Sequence, residues 1–97
     1  MIYKILNNNL YTTDRFGNIL KKISEGVSYG AYDDTQNIFL ITKTNGIVET
    51  RDINGNHLRM ICDGVIEARF SGTDILIRRK DGRNELRDRF GNQLRYI

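Results

Sequence analysis

The stretch Asp14-Arg15-Phe16-Gly17-Asn18-Ile19-Leu20-Lys21-Lys22-Ile23 is written three times in this chain. It returns 38 positions on as Asp52-Ile53-Asn54-Gly55-Asn56-His57-Leu58-Arg59-Met60-Ile61, and after a further 36 positions as Asp88-Arg89-Phe90-Gly91-Asn92-Gln93-Leu94-Arg95-Tyr96-Ile97. Self-similarity at such a period marks a repeat architecture, in which each copy is one supersecondary unit. Outward from this segment the match continues through Gly26-Val27 and Gly64-Val65, the aromatics Tyr32 and Phe70, and the apolar runs Phe39-Leu40-Ile41 and Ile75-Leu76-Ile77. The turns Asn45-Gly46 and Asp81-Gly82 follow. A two-residue shortening falls between Asp33 and Asn37, where a surface turn absorbs it.

Each unit has the punctuation of four short strands. Val27–Tyr32 and Val65–Phe70 open a unit, and Asn37–Thr44 and Asp74–Lys80 supply apolar second strands. Asn45-Gly46 and Asp81-Gly82 are expected to take the positive φ values of a type I′ hairpin turn. Third strands run Ile47–Asp52 and Arg83–Asp88. The D-x-x-G-N segment then reverses the chain, its Asp accepting backbone N–H bonds and its Gly taking positive φ. This assigns Asp14, Gly17, Asn18, Asp52, Gly55, Asn56, Asp88, Gly91 and Asn92 to structural turns. Fourth strands are His57–Ile61 and Gln93–Ile97. No window combines i, i+3, i+4 apolar spacing with helix caps, so an all-β chain is expected.

A four-stranded antiparallel meander of this length is close to one β-propeller blade. The run Val65–Ile77, followed by Asp81-Gly82, Asp88 and Gly91-Asn92-Gln93-Leu94-Arg95, resembles a WD-repeat-type blade in pattern. The Gly-His pair of that family is absent, and Thr13, Arg51 and Arg87 stand where its Trp-Asp dipeptide has Trp. The D-x-x-G-N turn is also similar to that of YD-type repeats of bacterial wrapping shells, whose periods are shorter. The resemblance implies one domain, 1–97, of three blade-like repeats: 1–26 (truncated), 27–64 and 65–97.

Aligning the first copy at the 38-residue offset places Met1 opposite Phe39 and Asn7-Asn8 opposite Asn45-Gly46. The first unit then begins inside a second strand, which leaves about 2.75 blades, fewer than the four to eight of a closed propeller. Open terminal blades are expected to expose apolar faces that isolated repeats cannot bury. Homo-oligomerisation, with a dimer of three-blade arcs favoured, is the expected way to cover them.

Composition narrows the class further. Ninety-seven residues, 39% hydrophobic and 28% charged, with no proline or tryptophan, exclude a large-cleft enzyme fold. A chain of this size buries only roughly two-thirds of its unfolded surface. The formal net charge is +3, with eight basic and five acidic residues in 65–97 against three and five in 33–64. The single cysteine, Cys62, makes no intramolecular disulfide, which fits a reducing compartment. No segment has the length of a signal-peptide core or a membrane helix, so a cytoplasmic location without membrane contact is expected.

The chain shows no constellation for catalysis. His57, the only histidine, aligns with Ile19 and Gln93 and reads as a surface strand residue with no acid–base partner. One His and one Cys do not supply a zinc ligand set. Cys62 aligns with Ser24 and reads as a packing residue rather than a nucleophile. Asp52-Ile53-Asn54-Gly55-Asn56 has its glycine too early for a calcium loop and lacks the distal Glu. Phosphate-loop, nucleophile-elbow and dinucleotide motifs are absent. No catalytic, metal or cofactor-binding residues are assigned, and no enzyme activity or cofactor is expected.

The basic residues are better ordered. Lys21, Arg59 and Arg95 share one repeat position and Arg51 and Arg87 another, while Arg78, Arg79, Lys80 and Arg83 cluster around Asp81-Gly82. Equivalent positions in an array form rows, so these nine make a candidate basic surface for nucleic acid or another polyanion. The competing reading is a solvated strand face balanced by Glu49, Glu85 and the aspartates. Tyr29 and Tyr32, flanking Gly30, are candidates to line a channel or to be buried with their hydroxyls satisfied. The leading expectation is a non-catalytic protein- or peptide-binding module with a protein partner. Polyanion binding and a lectin-like carbohydrate-binding propeller are the alternatives, the latter short of Trp platforms.

Overall fold

Apolar residues that alternate with polar ones pair edge to edge, and here they do so three times over. The computed structural model, which describes Met1–Ile97, has eleven strands and no helix. Strands β1 (Ile2–Leu6), β2 (Asn9–Thr13) and β3 (Ile19–Ser24) form a first antiparallel sheet. Strands β4 (Val27–Asp33), β5 (Ile38–Lys43), β6 (Val48–Asp52) and β7 (His57–Cys62) form a second. The third contains β8 (Val65–Ser71), β9 (Asp74–Arg79), β10 (Asn84–Arg87) and β11 (Gln93–Tyr96). Each sheet is a meander in chain order and none is closed. No helix is long and apolar enough to cross a membrane.

The sheets stack so that the second is covered on both faces. Side chains of successive strand residues point to opposite sides. Phe39 and Ile41 of β5 accordingly join Leu10, Ile23 and Val27 in one core between the first and second sheets. Leu40 turns the other way, into a core with Val48, Ile61, Cys62, Val65, Ala68, Ile75 and Ile77 between the second and third. Tyr3 meets the Phe39 ring edge-on at 5.5 Å, and Tyr32 meets it tilted at 4.8 Å with its hydroxyl donating to Asn37 Oδ1 at 2.8 Å. Tyr32 is therefore a packing residue with its polar tip satisfied, whereas Tyr29 is exposed. Two-residue links, Glu25-Gly26 and Asp63-Gly64, join consecutive sheets. Such links span only about 10 Å, which puts the end of each fourth strand beside the start of the next sheet.

The hairpin turns are not of the expected type. Asn45-Gly46 and Asp81-Gly82 do not form type I′ turns, because only Gly46 (φ 88°) and Gly82 (φ 89°) have positive φ. The loops hold three residues. Gly46 N–H donates to Lys43 O at 3.0 Å while Lys43 N–H donates to Ile47 O at 2.7 Å, and the same pair of bonds closes Arg79–Arg83. This is a type I turn followed by a left-handed glycine, the usual three-residue hairpin. Asn45 stays right-handed because its Oδ1 accepts the Ile47 N–H at 3.1 Å, as Asp81 Oδ1 accepts that of Arg83 at 2.9 Å. The type I′ pattern, positive φ at two adjacent positions, occurs instead at Asn7 (51°) and Asn8 (63°).

That shorter loop shifts the first strand. Thr13 pairs with Ile2, as Arg51 pairs with Phe39, so Ile2 rather than Met1 is the counterpart of Phe39. By the same register Lys4 stands where the other sheets have Ile41 and Ile77, and Leu6 where they have Lys43 and Arg79. A one-residue slip exchanges the two faces of a strand, which is why a fixed repeat offset misassigned β1.

The expected apolar terminal faces are present at one end only. On the first sheet Ile2, Leu6 and Ile19 are exposed, Ile2 and Ile19 flanking Thr13 on one face. On the third sheet the outward groove is lined by Glu67, Arg69, Arg78 and Asn84, with Leu76 among them. The corresponding residues of the second sheet are Tyr29, Ala31, Thr42 and Val48, so this face is polar by substitution, as terminal repeats of arrays are. Thr42 shows the cost of a polar group on the covered version of that face. Its Oγ1 is buried without a hydrogen-bond partner. Thr42→Val is expected to stabilise the fold by about 1 kcal/mol, by removing an unsatisfied group while keeping its shape. Urea denaturation checks this, and a loss of stability would show that the hydroxyl is satisfied.

Candidate functional site

The D-x-x-G-N turns are the most repeated local structure and the best-braced surface of the molecule. In each, one carboxylate oxygen of the Asp accepts two backbone N–H groups. For Asp88 these come from Phe90 and Asn92, each at 2.9 Å, and the Asn92 side-chain amide donates to the second oxygen at 2.9 Å. Asp14 and Asp52 repeat the pattern with Phe16 and Asn18, and with Asn54 and Asn56. These donors hold all three carboxyls below the usual carboxylate range, the Asn18 and Asn56 backbone bonds leading for Asp14 and Asp52 and the Asn92 side chain for Asp88. Groups with a depressed folded pKa contribute stability above their unfolded value near 4, which is lost as pH falls through the folded value. Thermal melts between pH 5 and pH 2.5 are therefore expected to show a smaller decline for Asp52→Asn than for the natural sequence. Parallel declines would count against the turn carboxylates as the source.

The turns also carry the contacts between sheets. A Cβ placed on Gly55 meets Ile23 O at 3.1 Å, and one on Gly91 meets Ile61 O at 3.2 Å. Each turn thus rests its glycine on the fourth-strand backbone of the preceding sheet. At the second of these junctions the Arg59 guanidinium lies over the Phe90 ring at 5.4 Å, and Arg89 approaches the same ring at 5.0 Å. Arg15 approaches Phe16 in the same manner at 4.9 Å. Arg59, Arg89 and Phe90, with Ile38, Thr50 and Leu58, line a cleft of about 400 Å³ between the second and third sheets.

The row of Arg51 and Arg87 is tied inward. Glu85 is fully buried and accepts from Arg87 Nε at 2.9 Å and from Gln93 Nε2 at 2.9 Å, and it pairs with Arg79 Nη2 at 2.6 Å. Arg87 Nη1 continues to Gly91 O at 2.7 Å and Ile61 O at 3.4 Å, linking turn, network and preceding sheet. Glu49 repeats the arrangement with Lys43 at 3.4 Å, Arg51 at 3.3 Å and His57 Nε2 at 3.1 Å, and Arg51 reaches Gly55 O at 2.7 Å. Glu49 and Glu85 are therefore buried anchors rather than members of a solvated face. The signal was present as Glu49-Thr50-Arg51 and Glu85-Leu86-Arg87, a two-residue spacing that puts acid and base on one side of a strand.

Three of the nine candidate basic residues, Arg51, Arg79 and Arg87, are thus neutralised by buried carboxylates. Lys21, Arg59, Arg95, Arg78 and Lys80 form no ion pair, and Arg83 has only an exposed contact with Asp81 at 3.8 Å. His57 is partly exposed and its imidazole faces Glu49, so it has a carboxylate neighbour that sequence alone did not place. Lys43 Nζ lies 2.7 Å from Ser24 Oγ, a spacing that invites a nucleophile–base reading. The same ammonium is bonded to Glu25 O at 2.6 Å and faces Glu49, and its counterpart in the third sheet is Arg79, which bonds Asp63 O at 2.9 Å. An arginine fills the same position without acting as a base, so the contact is a brace. Cys62 is buried, and burial pushes its thiol pKa up, away from nucleophilic thiolate character.

No family model matches the chain, and a search of curated proteins finds no relative.

Proposed function

We propose that this chain is a non-catalytic protein- or peptide-binding module on a propeller-like array of three blades, acting as a homo-oligomer with a dimer favoured. The observation that carries the reading is the pair of braced turn tips that hold an exposed aromatic ring beneath an arginine. Phe16 is 75% and Phe90 51% exposed, on turns whose Asp and Asn side chains lock the backbone. Exposing a large apolar ring is costly, and arginine and aromatic side chains on rigid supports are the residue types that dominate protein-binding energetics. The cleft beside Phe90 gives a partner side chain an apolar floor of Leu58 and Ile38 and a cationic rim of Arg59 and Arg89.

Affinity capture from the source cells with the natural sequence and with Arg89→Ala/Phe90→Ala tests this. A protein retained by the first and lost by the second is the expected result. Identical captured sets would overturn the cleft as the binding surface. Recovery of nucleic acid alone, released steeply by salt, would favour the polyanion reading through Lys21, Arg59, Arg95, Arg78, Lys80 and Arg83.

A further inference from the structure

We infer that a second copy of this chain docks head to tail, the first sheet of one copy on the third sheet of the other, through Phe16 and Arg95. The inference rests on the self-association proposed above and names its surface. Inside the chain, each junction seats a turn glycine on the fourth strand of the preceding sheet, next to an isoleucine of that strand. Those isoleucines, Ile23 and Ile61, are 3% and 4% exposed. The second junction adds Arg59 over Phe90. One further set of these parts exists, divided between the two outer faces.

On the first sheet, a Cβ on Gly17 would meet nothing within 4 Å, and Phe16 is the most exposed large hydrophobic residue of the chain. On the third sheet, Ile97 occupies the place of Ile23 and Ile61 but is 66% exposed, and Arg95 occupies the place of Arg59. The ring is not required by the turn, because Asn54 fills the same position in the second repeat with the same hydrogen bonds. Phe16 matches instead the repeat in which an arginine from the preceding sheet covers the ring. The head-to-tail arrangement places the Arg95 guanidinium of one copy over Phe16 of the next, the Gly17 turn on its β11 backbone, and Ile97 beneath it. The rest of the third sheet's outer face is polar through Glu67, Arg69 and Arg78, so the contact is confined to the turn side and is weak and salt-sensitive. A heterologous contact of this kind gives a closed ring where its rotation closes and an open filament where it does not.

Sedimentation velocity of the full chain over a wide concentration range tests the surface, using Phe16→Lys, Arg95→Glu and the double variant. Both side chains are exposed, so circular dichroism and melting temperature should be unchanged. Each single substitution is expected to weaken association roughly tenfold, by losing the cation–π contact and, for Lys, by opposing Arg95. The double variant replaces that contact by a Lys–Glu pair and is expected to regain most of the affinity. Association unaffected by either single variant would overturn this surface while leaving self-association standing, and a double variant no better than the singles would overturn the pairing. A natural sequence that stays monomeric throughout would overturn both.

Discussion

Replacing Glu85 by alanine is expected to lower the unfolding free energy by about 3 kcal/mol. Glu85 is fully buried, and its carboxylate neutralises Arg79 and Arg87, whose side chains are themselves only 21% and 18% exposed. Removing the acid leaves two guanidinium groups near the core with no counter-charge and frees the Gln93 amide as well. The network as a whole is a different matter, since a buried ion pair repays its desolvation only partly. The molecule contains its own comparison: at the positions of Arg79, Glu85 and Arg87 the first sheet has Leu6, Tyr11 and Thr13. The triple replacement Arg79→Leu/Glu85→Tyr/Arg87→Thr is therefore expected to recover most of what Glu85→Ala loses. Urea denaturation followed by circular dichroism measures both. A Glu85→Ala variant within about 0.5 kcal/mol of the natural sequence would show that the two arginines find solvent instead.

The three turn glycines are expected to respond unequally to the same substitution. All have strongly positive φ, 85° at Gly17, 87° at Gly55 and 91° at Gly91, so alanine costs about 1 kcal/mol of backbone strain at each. At Gly17 that is the whole cost, because the new methyl group points into open space. At Gly55 and Gly91 it meets the backbone of the preceding sheet, at Ile23 O and Ile61 O, and backbone does not yield as a flexible side chain does. The added overpacking brings the expected loss to about 3 kcal/mol at each of these two sites. Equal losses at all three glycines would mean that the turns do not seat on their neighbours. Under the head-to-tail arrangement, Gly17→Ala weakens association while costing the monomer only the backbone strain.

Strand pattern was legible because the strands are short, most carry apolar residues, and turns with a chemical signature separate them. The predicted bounds of β4 to β11 agree with those observed to within one residue at each end. The aspartate and glycine roles in D-x-x-G-N were equally legible, since an Asp that recurs ahead of x-x-Gly-Asn in all three copies is what a side-chain-to-backbone bond at that turn requires. Three features were not. The turn type at Asn45-Gly46 depends on whether the loop holds two or three residues, which register decides and a dipeptide does not. The placement of β1 depended on the shorter Asn7-Asn8 loop, whose one-residue effect a fixed repeat offset conceals. The fate of Arg51, Arg79 and Arg87 depended on which face of each strand is covered, and that is a property of stacking between sheets, not of any one strand. The residues of the candidate binding surface, Phe16 and Phe90, were visible as part of the repeat but stood out only once their exposure was known.

Sedimentation equilibrium of the natural chain, at several loading concentrations, bears most directly on the proposal that this array is completed by a second copy. The expected result is a species of twice the 11.3 kDa chain mass that grows with concentration and recedes with added salt. A single 11.3 kDa species at every concentration and salt would contradict it.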